Sequence, residues 1–187
     1  MANIPPEKRF QTCIADMMST MAEIINDANS RGYQGVQSDI LNKVSAYINQ
    51  YNAHELVMCY ILFSYQFWNQ MAQRDEEFFV SNCGAIFGFL PIDKEDQAYF
   101  SKVISNLVTA RDSNGNGYID QEDKDYLWDS FGALNRISIN FMKNDDTIVR
   151  EINMNLNIQR KKEETETGRS LPRLQIDLPG EQKVWFG

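Results

Sequence analysis

Apolar residues recur along this chain at intervals of three and four, the period of a helix, from Phe10 to beyond Leu156. Phe10, Ile14, Met17, Met21, Ile24 and Ile25 fall on one face of a first helix, opened by Pro5 and Pro6 and stopped near Gly32 and Gly35. Ser38 is placed to cap a second helix carrying Ile40, Leu41, Val44, Tyr47, Ile48 and Tyr51. The one long apolar run begins at Leu56 and extends to Trp68, 13 residues. That is short of the ~20 needed to cross a bilayer. It predicts a central helix over residues 54–73 buried on all sides, and no membrane span. Asp75, Glu76 and Glu77 open a fourth helix, where acids suit the positive end of the helix dipole. It carries Phe79, Val80, Cys83, Ile86 and Leu90 and ends at Pro91. Asp93 caps the next helix, with Asp96 in the reciprocal position of a capping box. Residues 137–142 and 148–156 continue the helical pattern. Ile152, Met154, Leu156 and Ile158 alternate as a strand could, but they fit a helix as well. The expectation is an all-α fold, one helical domain over residues 1–158.

The character of the chain changes at Arg160. Arg160, Lys161, Lys162, Glu163 and Glu164 have the composition of a solvated linker. Residues 171–179, bracketed by Pro172 and Pro179, read as extended, and Val184, Trp185 and Phe186 form an apolar end. Residues 159–187 are therefore expected to be a linker and an extended docking tail. Its aromatic end either folds back on its own domain or engages other protein subunits of an assembly; the second is the partner expectation.

Charge narrows the partners. Net charge is −8 and the pI about 4.7. Residues 1–158 hold 12 Lys/Arg against 21 Asp/Glu, and residues 159–187 hold 6 against 5. An acidic body lacks the basic footprint that phosphate backbones require, so nucleic acid is not an expected partner. Cys13, Cys59 and Cys83 are odd in number and without CxxC spacing, which predicts buried thiols in a reducing compartment and not a disulfide frame. The first residues have neither a basic nor an apolar segment of a secretion signal. His54 is the one histidine, placed at a helix terminus, and no GxSxG, P-loop or Rossmann glycine pattern occurs. The inventory predicts no enzyme.

Residues 112–123 are the chemically distinctive stretch. Asp112, Asn114, Asn116, Asp120 and Asp123 place side-chain oxygens at positions 1, 3, 5, 9 and 12 of a twelve-residue loop. Gly117 stands at position 6, where a sharp turn is expected, Tyr118 offers its carbonyl at position 7, and Ile119 is apolar at position 8. Apolar Ile104, Leu107 and Val108 precede the loop, and Leu127, Trp128 and Phe131 follow it, each on a helical face. Residues 96–135 thus resemble a single EF-hand, helix–loop–helix. The resemblance implies Ca2+, or Mg2+, held by Asp112, Asn114, Asn116, Tyr118, Asp120 and Asp123. Arg111 and Lys124 replace residues usually apolar, and Asp123 replaces the commoner Glu. Three formal negative charges predict weak binding, roughly 10⁻⁵–10⁻³ M. Asp27 to Tyr33 imitate a partner loop only briefly, with Gln34 and Ser38 out of pattern, and read as a plain helix connection. The site is expected to be unpaired.

A second resemblance covers residues 60–142. Phe67-Trp68, Arg74-Asp75, Phe78-Phe79, Leu90-Pro91 and an Asp-rich turn before Trp128 are similar to uncharacterised helical proteins of nucleocytoplasmic large DNA viruses. The resemblance implies a virion-associated, minor capsid component and identifies no active site. The expected function is a non-enzymatic structural protein, cytoplasmic or in the virion, whose EF-hand-like loop stiffens a helix pair. The alternative is a calcium-responsive EF-hand regulator. That reading calls for a Met-rich groove near the loop, whereas Met17, Met18 and Met21 lie on the first helix.

Overall fold

The computed structural model describes residues 4–33 and 39–170. The helices, in chain order, are α1 (Pro6–Ser30), α2 (Asp39–Gln50), α3 (Ala53–Ser64), α4 (Trp68–Ala72), α5 (Glu76–Ile86), α6 (Lys94–Thr109), α7 (Gln121–Asn144) and α8 (Asp146–Thr167). A 3-10 turn, Tyr65–Phe67, separates α3 from α4. The described residues contain no strand, only an isolated antiparallel bridge between Arg111 and Gly117. The fold is all-α.

α1 is the hub, because its apolar face is wide. Phe10, Ile14, Met17, Met18, Met21, Ile24 and Ile25 are all buried, and α1 packs chiefly against α7, α2 and α3. Burying one such side chain contributes about 1.5–3 kcal/mol, so this face dominates the assembly of the bundle. Gln11 is buried with it, and its amide donates to the carbonyls of Ile48 (2.7 Å) and Tyr51 (2.9 Å), satisfying the C-terminal end of α2. α6 lies on α5, α4 on α7, and α8 on α3 and α7. Phe87 ties these layers together, with its ring 5.0 Å from Phe100 of α6 and 5.8 Å from Phe131 of α7.

The expected caps form. Asp75 accepts from the Phe78 N–H at 2.9 Å and Asp93 from the Asp96 N–H at 2.8 Å. The Asp96 carboxylate does not complete a capping box; it pairs with Lys43 of α2 instead.

Three expectations are corrected. The central helix is neither continuous nor buried all round. Phe63 is exposed, Cys59 and Leu62 are half-buried, and the helix breaks at Ser64. There the Ser64 hydroxyl donates back to the Tyr60 carbonyl (2.6 Å) and accepts the Trp68 indole N–H (2.9 Å), which turns Trp68 into the core. α5 stops at Ile86, so Leu90 is buried from a turn and not from the helix. The stretch read as a linker from residue 159 begins as helix: α8 runs to Thr167 and is ended by Gly168 in the left-handed region, φ 66°. Ser38 and the tail segments at 171–179 and 184–186 lie outside the described residues.

Candidate functional site

The loop between α6 and α7 is secured at both ends by the residues that depart from the EF-hand pattern. Arg111 folds its guanidinium under the end of α6, where it donates to the carbonyls of Val108, Thr109 and Ala110 at 3.2, 3.1 and 3.0 Å. A cation there meets the negative end of the helix dipole. Lys124, in the first turn of α7, bridges to Glu76 of α5 at 2.8 Å. Ile119 is buried, as position 8 predicts. Asp120 is the N-cap of α7, accepting from the Asp123 N–H at 2.9 Å.

Asp112 organises the first half of the loop. Its Oδ1 accepts from the Asn114 and Asn116 backbone N–H groups at 2.8 and 2.9 Å, and its own N–H donates to the Asn116 carbonyl at 2.8 Å. The Asn116 backbone N–H foremost, then that of Asn114, holds the Asp112 carboxyl below its usual range. The left-handed residue is Gly115, φ 83°, and not Gly117. Gly117 is needed for a different reason: a Cβ there would stand 3.1 Å from the Ile119 carbonyl oxygen.

The second half is electrostatically tense. Asp123 is half-buried, and burial first, then the charge of Asp120, push its carboxyl above the ordinary value; Asp27 pushes the same way and Arg31 opposes them. Asp27 is in the last turn of α1 and Arg31 is its C-cap, so the C-terminal end of α1 lies against the loop. Arg31 donates to the Tyr118 carbonyl and pairs with Asp27 at 2.8 Å. The Tyr33 and Tyr118 rings meet at 5.1 Å.

The six expected ligands therefore divide into three groups: Asp112 with Asn114 and Asn116, Asp120 with Asp123, and Tyr118 alone, its carbonyl taken by Arg31. Asn114 is exposed at the loop tip. Among the described residues, no three acidic, His or Cys side chains converge. The donors are all oxygen, the chemistry of a hard cation, and Asp120 and Asp123 repel in its absence. The set fits Ca2+ in kind, provided the guanidinium leaves the Tyr118 carbonyl.

Asp27, Arg31 and Tyr33 were not expected at the site. Their one sequence signal was the abbreviated loop-like pattern at residues 27–33. Met21 is a second surprise. It is not distant from the loop helices but lines an apolar slot with Val108 of α6, Phe79 of α5, and Leu127, Trp128 and Phe131 of α7. The slot holds about 20 Å³, close to one water molecule. A more open cleft of about 330 Å³ lies between α1 and α7, lined by Arg9, Cys13, Asp16, Tyr126 and Ser130 among others. His54 is exposed at the start of α3, edge-on to Phe141 at 5.1 Å. No helix in the described residues is long and apolar enough to cross a membrane. No protein-family model, curated protein or solved structure matches the chain.

Proposed function

We propose that this chain is a non-enzymatic structural and interaction protein in which a weak Ca2+ site stiffens the α6–α7 unit. The observation that carries the reading is how the loop is built into the body: Arg111 closes α6, Asp120 opens α7, and Ile119 is in the core. An ion held at such a loop relieves repulsion between Asp120 and Asp123 without any need to reorient helices. The similarity over residues 60–142 points to a minor capsid-associated component of a large DNA virus particle. Most of the residues that carry it, buried Trp68, Phe79 and Leu90 and half-buried Phe67, Phe78 and Trp128, are packing residues in this fold.

Terbium luminescence tests the metal site directly, since Tyr118 in the loop is an aromatic sensitiser. Emission that calcium competes away and Asp112→Ala abolishes supports the site; no sensitised emission refutes it. Calcium should also raise the melting temperature by mass action. Sedimentation with particles from the native source tests the assembly role.

The apolar slot favours a second reading, a calcium-responsive regulator, because it lies between both loop helices and includes Met21. At about 20 Å³ it admits no side chain until the helices part. A calcium-dependent rise in apolar-dye binding would support that reading, and flat dye binding supports the stiffening role.

A further inference from the structure

We infer that Arg31 is a built-in competitor for the loop, a tethered guanidinium that occupies the Tyr118 carbonyl and must be displaced before a divalent cation is held there. The inference rests on the metal-binding reading proposed above and concerns what governs that site. Tyr118 supplies the backbone oxygen at loop position 7, and this oxygen already accepts from the Arg31 side chain. Arg31 is held in place from its own helix by Asp27, four residues earlier, at 2.8 Å. The contact spans 87 residues of chain, so it is a tertiary closure and not a local turn. One side chain thus supplies part of what a bound cation would supply: a positive charge and a partner for the carbonyl.

Displacement has a structural consequence. Arg31 is the C-cap residue of α1, and the Tyr33 ring meets the Tyr118 ring in a tilted contact at 5.1 Å. Freeing the guanidinium therefore loosens the contact between the loop and the C-terminal end of α1, and loop occupancy is coupled to that end of the helix. The expected size follows from competition: a loop held closed by Arg31 nine-tenths of the time binds its ion about tenfold more weakly than the same loop without it.

Terbium titration of the full chain, with calcium competition, decides the matter across three proteins. Arg31→Met keeps the aliphatic stem and removes the guanidinium. Lys124→Gln removes the same unit of charge beside Asp123, but Lys124 bonds to Glu76 and donates to none of the expected ligands. Arg31→Met should tighten terbium and calcium binding about tenfold, with Lys124→Gln changing it far less. Equal affinities for Arg31→Met and the wild type overturn the inference and leave the metal site standing, as does equal tightening by both variants, which makes the effect one of net charge. Absence of sensitised emission from the wild type and from Arg31→Met overturns the metal site itself, and the inference with it. Helical circular dichroism is recorded for each protein, and Arg31→Gln replaces Arg31→Met in the same comparison if the latter loses it.

Discussion

Tyr60 is the residue on which the core's polar groups converge. It is fully buried, and its hydroxyl donates to Asn135 Oδ1 at 2.6 Å, while the Asn135 amide faces the Met71 sulfur at 3.9 Å. Burial holds the Tyr60 phenol above its ordinary range, so it remains a neutral donor. Tyr60→Phe should destabilise the chain by about 1–3 kcal/mol, since Asn135 is left buried without its donor. Tyr60→Phe combined with Asn135→Leu should recover part of that loss in urea unfolding, and additive losses would mean the two side chains are not coupled. Thiol chemistry belongs to the same scale. Burial raises the ordinary value for all three cysteines, with Cys83 pushed up to about 12. The thiolate is the reactive form, so labelling by a disulfide reagent at pH 8 should be slow and should accelerate as pH rises. Cys13, which opens on the cleft between α1 and α7, and half-buried Cys59 should react first. Cys83 should react only on unfolding. Equal rates for all three in the folded chain would contradict this packing.

At the scale of elements, the joint between α4 and α5 depends on an arginine in a glycine's conformation. Arg74 has φ 54° and ends α4, letting the Asp75 N–H donate back to the Gln70 carbonyl at 3.1 Å. The left-handed conformation costs roughly 1–2 kcal/mol for a residue with a Cβ. Against this, Arg74 spans two carboxylates one turn apart on α7, Asp125 at 2.6 Å and Asp129 at 2.7 Å. These pairs are exposed, and each contributes about 0–1 kcal/mol. Arg74→Gly should therefore be nearly neutral, whereas Arg74→Ala keeps the strain and loses the pairs. If glycine proves the more destabilising of the two in urea unfolding, the strain account fails. The helices themselves were legible because their signals are local: the spacing of Phe10, Ile14, Met17 and Met21, and the aspartates before α5 and α6. The break at Ser64 was not, because a buried bond from Trp68 determines it. Nor was the length of α8, since Lys and Glu are as compatible with helix as with a linker.

For the whole molecule, the legible part of the site was its list of oxygens, and the illegible part was its neighbours. Nothing in the spacing of residues 112–123 reveals that Arg31 lies on Tyr118 or that Met21 lies beside Trp128, because both contacts depend on α1 crossing α7. The charged Arg111 and Lys124 looked like defects of the pattern and proved to be its anchors. The tail's proposed role is tested at this scale. With α8 running to Thr167, the informative truncation removes residues 168–187 and leaves every helix of the described residues whole. Helical circular dichroism and the thermal transition of the body should persist, while co-sedimentation with the native assembly is lost. Unfolding or aggregation of the truncated chain would place the tail in its own core instead.

α8 also sets how far that tail can reach. Its last buried residue is Leu156, and residues 158–167 form about three turns of helix in which only Arg160 and Glu164 are even half-buried. A free helix of that length is marginal in water. While wound, it places residue 168 about 15 Å beyond residue 158; unwound, the same ten residues extend to roughly 33 Å. If the tail docks as proposed, the end of α8 is a spacer of variable length whose helix–coil balance would set the distance at which a neighbouring subunit is engaged. A partner that gripped the tail under tension would unwind this spacer before load reached the body.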